Sequence, residues 1–252
     1  MRKTKISFRQ LFKATALACF PTVRRSWRAL LALTIIHVGI DQYSALASRV
    51  IQERGREEIG LLVFTSLVQF ILDLLWSGAW LLVVSRAADT VASLTRNAGD
   101  PEAPEAQPSF VPSFMQDYPQ VLIEGIRVLA AMIFRLPFLV IPALIEYVRL
   151  VFVPYVVLFD SAYKRGEVDA LKQSRRLVRG RFVFLSTLVS IQPLIVLLLA
   201  LFKGDEAFIW EKPLEGLISV LLTFLLDLFF GILVFFAYRA CAQLEKPDAV
   251  AS

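Results

Sequence analysis

Asp41, Asp73, Arg135, Glu146, Arg149 and Asp227 stand inside stretches of sequence that are otherwise almost entirely apolar. In hydrocarbon each such group costs roughly 2.5–3.5 kcal/mol on insertion scales, so each requires a partner or water. Two chemistries follow. The six together could line a polar path for a proton, an ion or a small polar solute, since four acids against two arginines leave one or two carboxylates able to titrate. Gln192-Pro193 would add an exposed carbonyl to such a path, because proline removes a helix hydrogen bond. The competing reading makes Arg149–Asp41 and Arg135–Glu146 structural ion pairs, with Asp73 and Asp227 protonated, paired or hydrogen-bonded between helices. Buried pairs often specify packing without transport, and the residues favour this second reading.

No other residue set points to chemistry. His37 is the one histidine, a turn from Asp41, which would suit a relay but equally a simple hydrogen bond. A Ser–His–Asp order, a P-loop, a glycine-rich dinucleotide turn and a paired-cysteine metal spacing are all absent from the sequence. Cys19 and Cys241 lie near opposite ends of the chain, so no disulfide framework is expected. The expectation is therefore a non-enzymatic protein with no catalytic residue, metal site or cofactor.

The elements that must hold these charges are set by hydrophobicity. Apolar residues make up 57% of the 252, against ~45–50% in soluble domains, and the mean hydropathy is +0.62. A hydrocarbon core of ~30 Å takes roughly 20 residues of helix. Six spans are expected, at about 29–48, 60–84, 121–139, 142–160, 181–203 and 216–239. Residues 121–160 form one long apolar run divided only by Pro137 and Pro142, so a tight hairpin or a re-entrant pair is needed there. The fold class is thus all-α, polytopic, a single membrane domain over 1–252, with two interfacial amphipathic helices.

The first of those is about 5–20, with Phe8, Leu11, Phe12, Ala16, Cys19 and Phe20 on one face, Arg9 and Lys13 on another, and Pro21 ending it. Ala16-Leu17-Ala18-Cys19 faintly echoes a lipoprotein cleavage box, but Lys13 interrupts the run and Arg24, Arg25 and Arg28 would resist translocation. Residues 1–28 form a basic interfacial segment, and 86–120 reads as a flexible, acidic, proline-rich cytoplasmic loop that cannot bury a core. With the N-terminus inside, 19 lysines and arginines fall on the cytoplasmic side and five outside, which places both termini in the cytoplasm. That surplus points to anionic headgroups on the cytoplasmic side, not to nucleic acid.

The most specific local pattern runs from Arg149 to Gly180. Span 142–160 carries Arg149 and Pro154 and reaches the cytoplasm at Asp160; Gly166 allows a turn; a basic helix of about 167–179 follows within the 161–180 segment. Val168, Leu171 and Val178 lie on one side of that helix, and Lys172, Arg175, Arg176 and Arg179 face headgroups or solvent. Gly180 suits the position just past a helix end. Arg149, Pro154, Ala170, Leu171, Ser174, Leu177 and Gly180 resemble the pattern of YciC-like membrane proteins and of the membrane domain attached to some bacterial glycerophosphodiester phosphodiesterases. The resemblance covers about 32 residues and implies a multi-pass protein of the bacterial inner membrane. It implies no phosphodiesterase, whose metal-ligating domain has no counterpart here. The expected function is a membrane scaffold or accessory factor engaging anionic phospholipid through Arg9, Lys13, Arg24, Arg25, Lys172, Arg175, Arg176 and Arg179, with another membrane protein as a second partner. The runner-up is a small transporter or channel using the mid-membrane aspartates and arginines.

Overall fold

The computed structural model describes residues 7–54, 59–97, 110–135, 140–202 and 213–249. Every regular element among them is an α-helix: α1 (Phe8–Arg54), α2 (Ile59–Asn97), α3 (Phe110–Ile133), α4 (Val140–Leu150), α5 (Val153–Phe159), α6 (Ser161–Lys164), α7 (Ala170–Val178), α8 (Phe182–Phe202) and α9 (Pro213–Ala249). Four stretches are long and apolar enough to cross a membrane: Phe8–Ala47, Val63–Ser93, Ile141–Phe159 and Pro213–Glu245. A fifth is reached if α7 and the first part of α8, which meet at 104°, are taken as one. The chain is a multi-helix membrane-type bundle.

Several boundaries differ from the sequence expectation, each for a physical reason. Pro21 does not end the first helix. Its missing N–H removes one rung, the helix continues through it, and the kink falls at Ser26 (φ −114°, ψ 17°). The N-terminal segment is also seated differently: Leu11, Thr15, Ala18 and Thr22, at helical spacing, are the buried stripe. Phe12 stays half-exposed while its ring meets Phe229 at 4.7 Å. Segment 86–120 is helical at both ends, since α2 continues to Asn97 and α3 starts at Phe110. Its acidic centre, 98–109, lies outside the described residues, as does Pro137. Of the run 121–160, Ile141–Phe159 is long and apolar enough to cross and is built from α4 and α5, which part at Val151–Phe152. The described part of the first expected span there is the second half of α3 and a turn at Phe134–Arg135. α3 is not among the helices apolar enough to cross.

α1 lies along α2 and α9, while α3 packs on α4 and α5, and α7 on α4, α5 and α9. Burial is concentrated at one end of this bundle. Leu82–Ser85 of α2 and Leu228, Ile232, Leu233, Phe235 and Ala237 of α9 are closed off, whereas Val63, Phe64, Leu67 and Phe70 of α2 and Leu214–Leu225 of α9 present large apolar side chains outward. In water so large an apolar patch would be a liability. Lipid tails are as apolar as leucine, so there it carries no penalty. The helices of the buried end approach closely: a Cβ on Gly231 would lie 3.1 Å from Val84 Cγ1.

Candidate functional site

The joint between α4 and α7 begins with Pro154. Proline near the start of α5 cannot donate to the turn before it, so the ladder breaks at Val151–Phe152. At that break Ser174 Oγ, fully buried on α7, donates to the Arg149 carbonyl at 2.8 Å. Ala170 and Leu177 flank Ser174 on α7 and are equally closed. Asp169 caps α7, accepting from the amides of Leu171 at 3.0 Å and Lys172 at 3.1 Å. Gly180 ends the segment at φ +79°, in the left-handed region. Arg149, Pro154, Ala170, Ser174 and Leu177 thus meet at the joint of α4, α5 and α7.

Charge completes it. Glu146 of α4 has no exposed surface. Its carboxylate accepts from Arg135 Nη1, at the end of α3, and from Arg175 Nε at 2.9 Å and Nη2 on α7. Arg149 Nη1 lies 3.8 Å away on the same helix. A second cluster sits further along α7: Arg127 donates to Glu124 at 2.7 and 2.8 Å and to Asp169 at 2.7 Å. Burial opposes ionisation of Asp169, but hydrogen bonds from Arg127 and from the Lys172 and Leu171 amides outweigh it and hold the carboxyl below its ordinary value. On the other side of α7, Arg176 pairs with Glu245 of α9, and Gln173 donates to the same carboxylate at 3.3 Å. α7 is thus pinned by carboxylates or guanidiniums from α3, α4 and α9. Two further pairs, Arg86–Asp117 and Arg239–Asp89, tie α2 to α3 and to α9.

The six intramembrane residues do not gather into one network. Arg135, Glu146 and Arg149 form the group just described. Arg149 faces Glu146 and not Asp41, because it projects one turn along its own helix. Asp41 lies 3.6 Å from His37, which stacks on Trp76 at 4.1 Å. Trp76 in turn donates to the Leu33 carbonyl at 2.9 Å, which accounts for an indole well inside α2. Asp227 accepts from Gln192 of α8 at 2.9 Å, and Asp73 from Gln69 of its own helix at 3.1 Å.

Of the basic residues expected to face headgroups, Arg9, Lys13, Arg24, Lys172 and Arg179 are exposed, as is Arg25. Arg175 and Arg176 are exposed as well, at 41 and 60%, but each is also held by a carboxylate of the bundle. Their spacing is that of the outward face of an amphipathic helix, and only the packing shows the carboxylate each one meets. Ser174 and Asp169 each carry a signal in the sequence. An Asp directly before a short helix is a cap signal, while a serine on the apolar side of a basic helix asks for a buried acceptor. Comparison with family models, with curated proteins and with solved structures finds no match to this chain.

Proposed function

We propose that this chain is a non-enzymatic, multi-pass membrane scaffold or accessory factor that engages anionic phospholipid, with another membrane protein as a second partner. The observation that carries the reading is the pinning of α7. Asp169, Arg175 and Arg176 are tied to α3, α4 and α9, so Lys172 and Arg179 are presented outward from a fixed frame at the end of an apolar bundle. The likeness to YciC-like proteins over Arg149–Gly180 supports placing it in a bacterial inner membrane.

The topology we propose keeps both termini cytoplasmic but uses the re-entrant alternative for 121–160. Arg135 and Arg175 share one carboxylate, which favours the Phe134–Arg135 turn lying on the same side as α7. α1, α2, α8 and α9 are then the complete crossings, an even number.

The test is lipid selectivity at the protein surface in reconstituted bilayers, read by electron spin resonance of spin-labelled phosphatidylglycerol against phosphatidylcholine. Selectivity for the anionic lipid that falls with salt and with Lys172→Gln/Arg179→Gln is expected. Equal partitioning of the two lipids around the wild-type protein would sink the reading. A transporter remains the second reading, favoured by Asp227 and Gln192 meeting across α8 and α9 in otherwise apolar surroundings. Ion flux in proteoliposomes that is abolished by Asp227→Asn in a folded protein would put it first.

A further inference from the structure

The cluster on Glu146 is unbalanced in charge. One carboxylate with no exposed surface faces the guanidiniums of Arg135, Arg149 and Arg175, whose side chains are 39, 49 and 41% exposed. Two positive charges are left over. A guanidinium offers five N–H donors in a fixed fork. Glu146 takes Arg135 through Nη1 and Arg175 through Nε and Nη2. Arg149 stays at 3.8 Å, beyond hydrogen-bond distance. Donors therefore remain on all three, on side chains that are each half open to the surroundings. Like charges held this close repel unless an anion joins them. The buried carboxylate collects the three forks without neutralising them.

We propose that Arg135, Arg149 and Arg175 form a binding site for a phosphate group, with Glu146 as the positioning residue that gathers them. Planar forks converging from α3, α4 and α7 suit the tetrahedral oxygens of a phosphate better than a lone ammonium would. Phe134 beside Arg135, and Ile141 and Leu144 on α4, are exposed apolar side chains, at 77, 64 and 56%. A phosphodiester on a lipid and a free phosphate would present the same oxygens to the arginines. The proposal rests on the lipid-engaging reading above for the source of the phosphate and on the arginine geometry for its recognition.

The test uses the full-length protein in neutral detergent and fluorescent phosphatidylglycerol followed by polarisation, with fluorescent diacylglycerol as the phosphate-free control. Arg149→Gln is the primary variant, because Arg149 makes the longest contact with Glu146 and the fold has least to lose. Its loss is expected to weaken phosphatidylglycerol binding about tenfold or more, the scale of one charge-assisted hydrogen bond, and to leave diacylglycerol unaffected. Arg149→Lys, which keeps the charge without the fork, is expected to weaken it by a smaller factor and serves if the glutamine variant fails to fold. Displacement of the lipid by millimolar inorganic phosphate would mean that the phosphate group suffices. Resistance to displacement with the Arg149 effect intact would mean that the lipid is the occupant. The Arg149→Gln effect is expected to persist in a Lys172→Gln/Arg179→Gln background, and its disappearance there would assign the binding to the outward face of α7 and overturn the site. A folded Arg149→Gln protein that binds phosphatidylglycerol as the wild type does would overturn the site, as would wild-type binding of diacylglycerol with equal affinity.

Discussion

Glu146 is the residue on which the most interactions converge, and its effect on stability can be bounded. Removing one partner of a fully buried ion pair costs about 3–5 kcal/mol. Here the partners are half-exposed and can be rehydrated, so Glu146→Gln is expected to lose about 1.5–3 kcal/mol, the range for hydrogen bonds to charged groups. Reversible unfolding in mixed micelles measures it, and a loss below about 0.5 kcal/mol, the scatter of ordinary surface substitutions, would show that the three arginines do not depend on the carboxylate. Asp169 carries a pH signature. Its folded-state pKa lies below the ordinary 3.8, so the stability it contributes is fully present above about that value and is lost as pH falls through the lower folded value. Amide protection at Leu171 and Lys172 is therefore expected to hold down to about pH 4 and to fall below it, and Asp169→Asn is expected to remove the step. A pH-independent protection profile in the wild type would contradict the assignment.

At the scale of elements, α7 is short for a helix that stands alone. Nine residues of basic, polar sequence are marginal in water, and the helix exists because its cap, its buried serine and its three ion contacts are supplied by neighbours. Ser174→Ala leaves the Arg149 carbonyl at the α4–α5 break without its side-chain donor and is expected to cost about 1–3 kcal/mol, the penalty for an unmet buried acceptor. Gly180→Ala tests the other end. No atom lies within 4 Å of the added Cβ, so the whole cost is the left-handed backbone, about 1–2 kcal/mol. Thermal unfolding of the two variants and of the double variant would show whether both ends act on one cooperative unit. Additive losses with α7 still protected would make them independent.

For the whole molecule the decisive question is which side of the bilayer the Phe134–Arg135 turn occupies. In a background lacking Cys19 and Cys241, Phe134→Cys and Arg179→Cys are expected to react with an impermeant thiol reagent from the same side of inside-out vesicles, because Arg135 and Arg175 hold the same carboxylate. Labelling from opposite sides would restore two full crossings in 121–160. The apolar surface is polarised in the same sense: the half of α2 and α9 that buries Leu82–Ser85 and Leu228–Ala237 lies with the charge pairs Arg239–Asp89 and Arg86–Asp117, and the other half faces outward. Polar contacts thus lock one end of the bundle, and the outward apolar side chains of the other suit a lipid surrounding.

Hydrophobicity alone determined the solvent, the all-helical class and the approximate course of α2, α8 and α9, because a run of some 20 apolar residues has few alternatives to a helix in lipid. The local pairing of Glu124 with Arg127 was legible for the same reason, since i and i+3 on one helix must meet. The partner of Arg149 was not. Asp41 is the sequence expectation, whereas Arg149 lies against Glu146, whose carboxylate also holds Arg175 of α7. Only tertiary structure could decide that Arg175 and Arg176 serve the bundle while Lys172 and Arg179 do not. All four have the same chemistry at helical spacing, and what distinguishes them is whether a carboxylate from another element, far away in sequence, lies opposite.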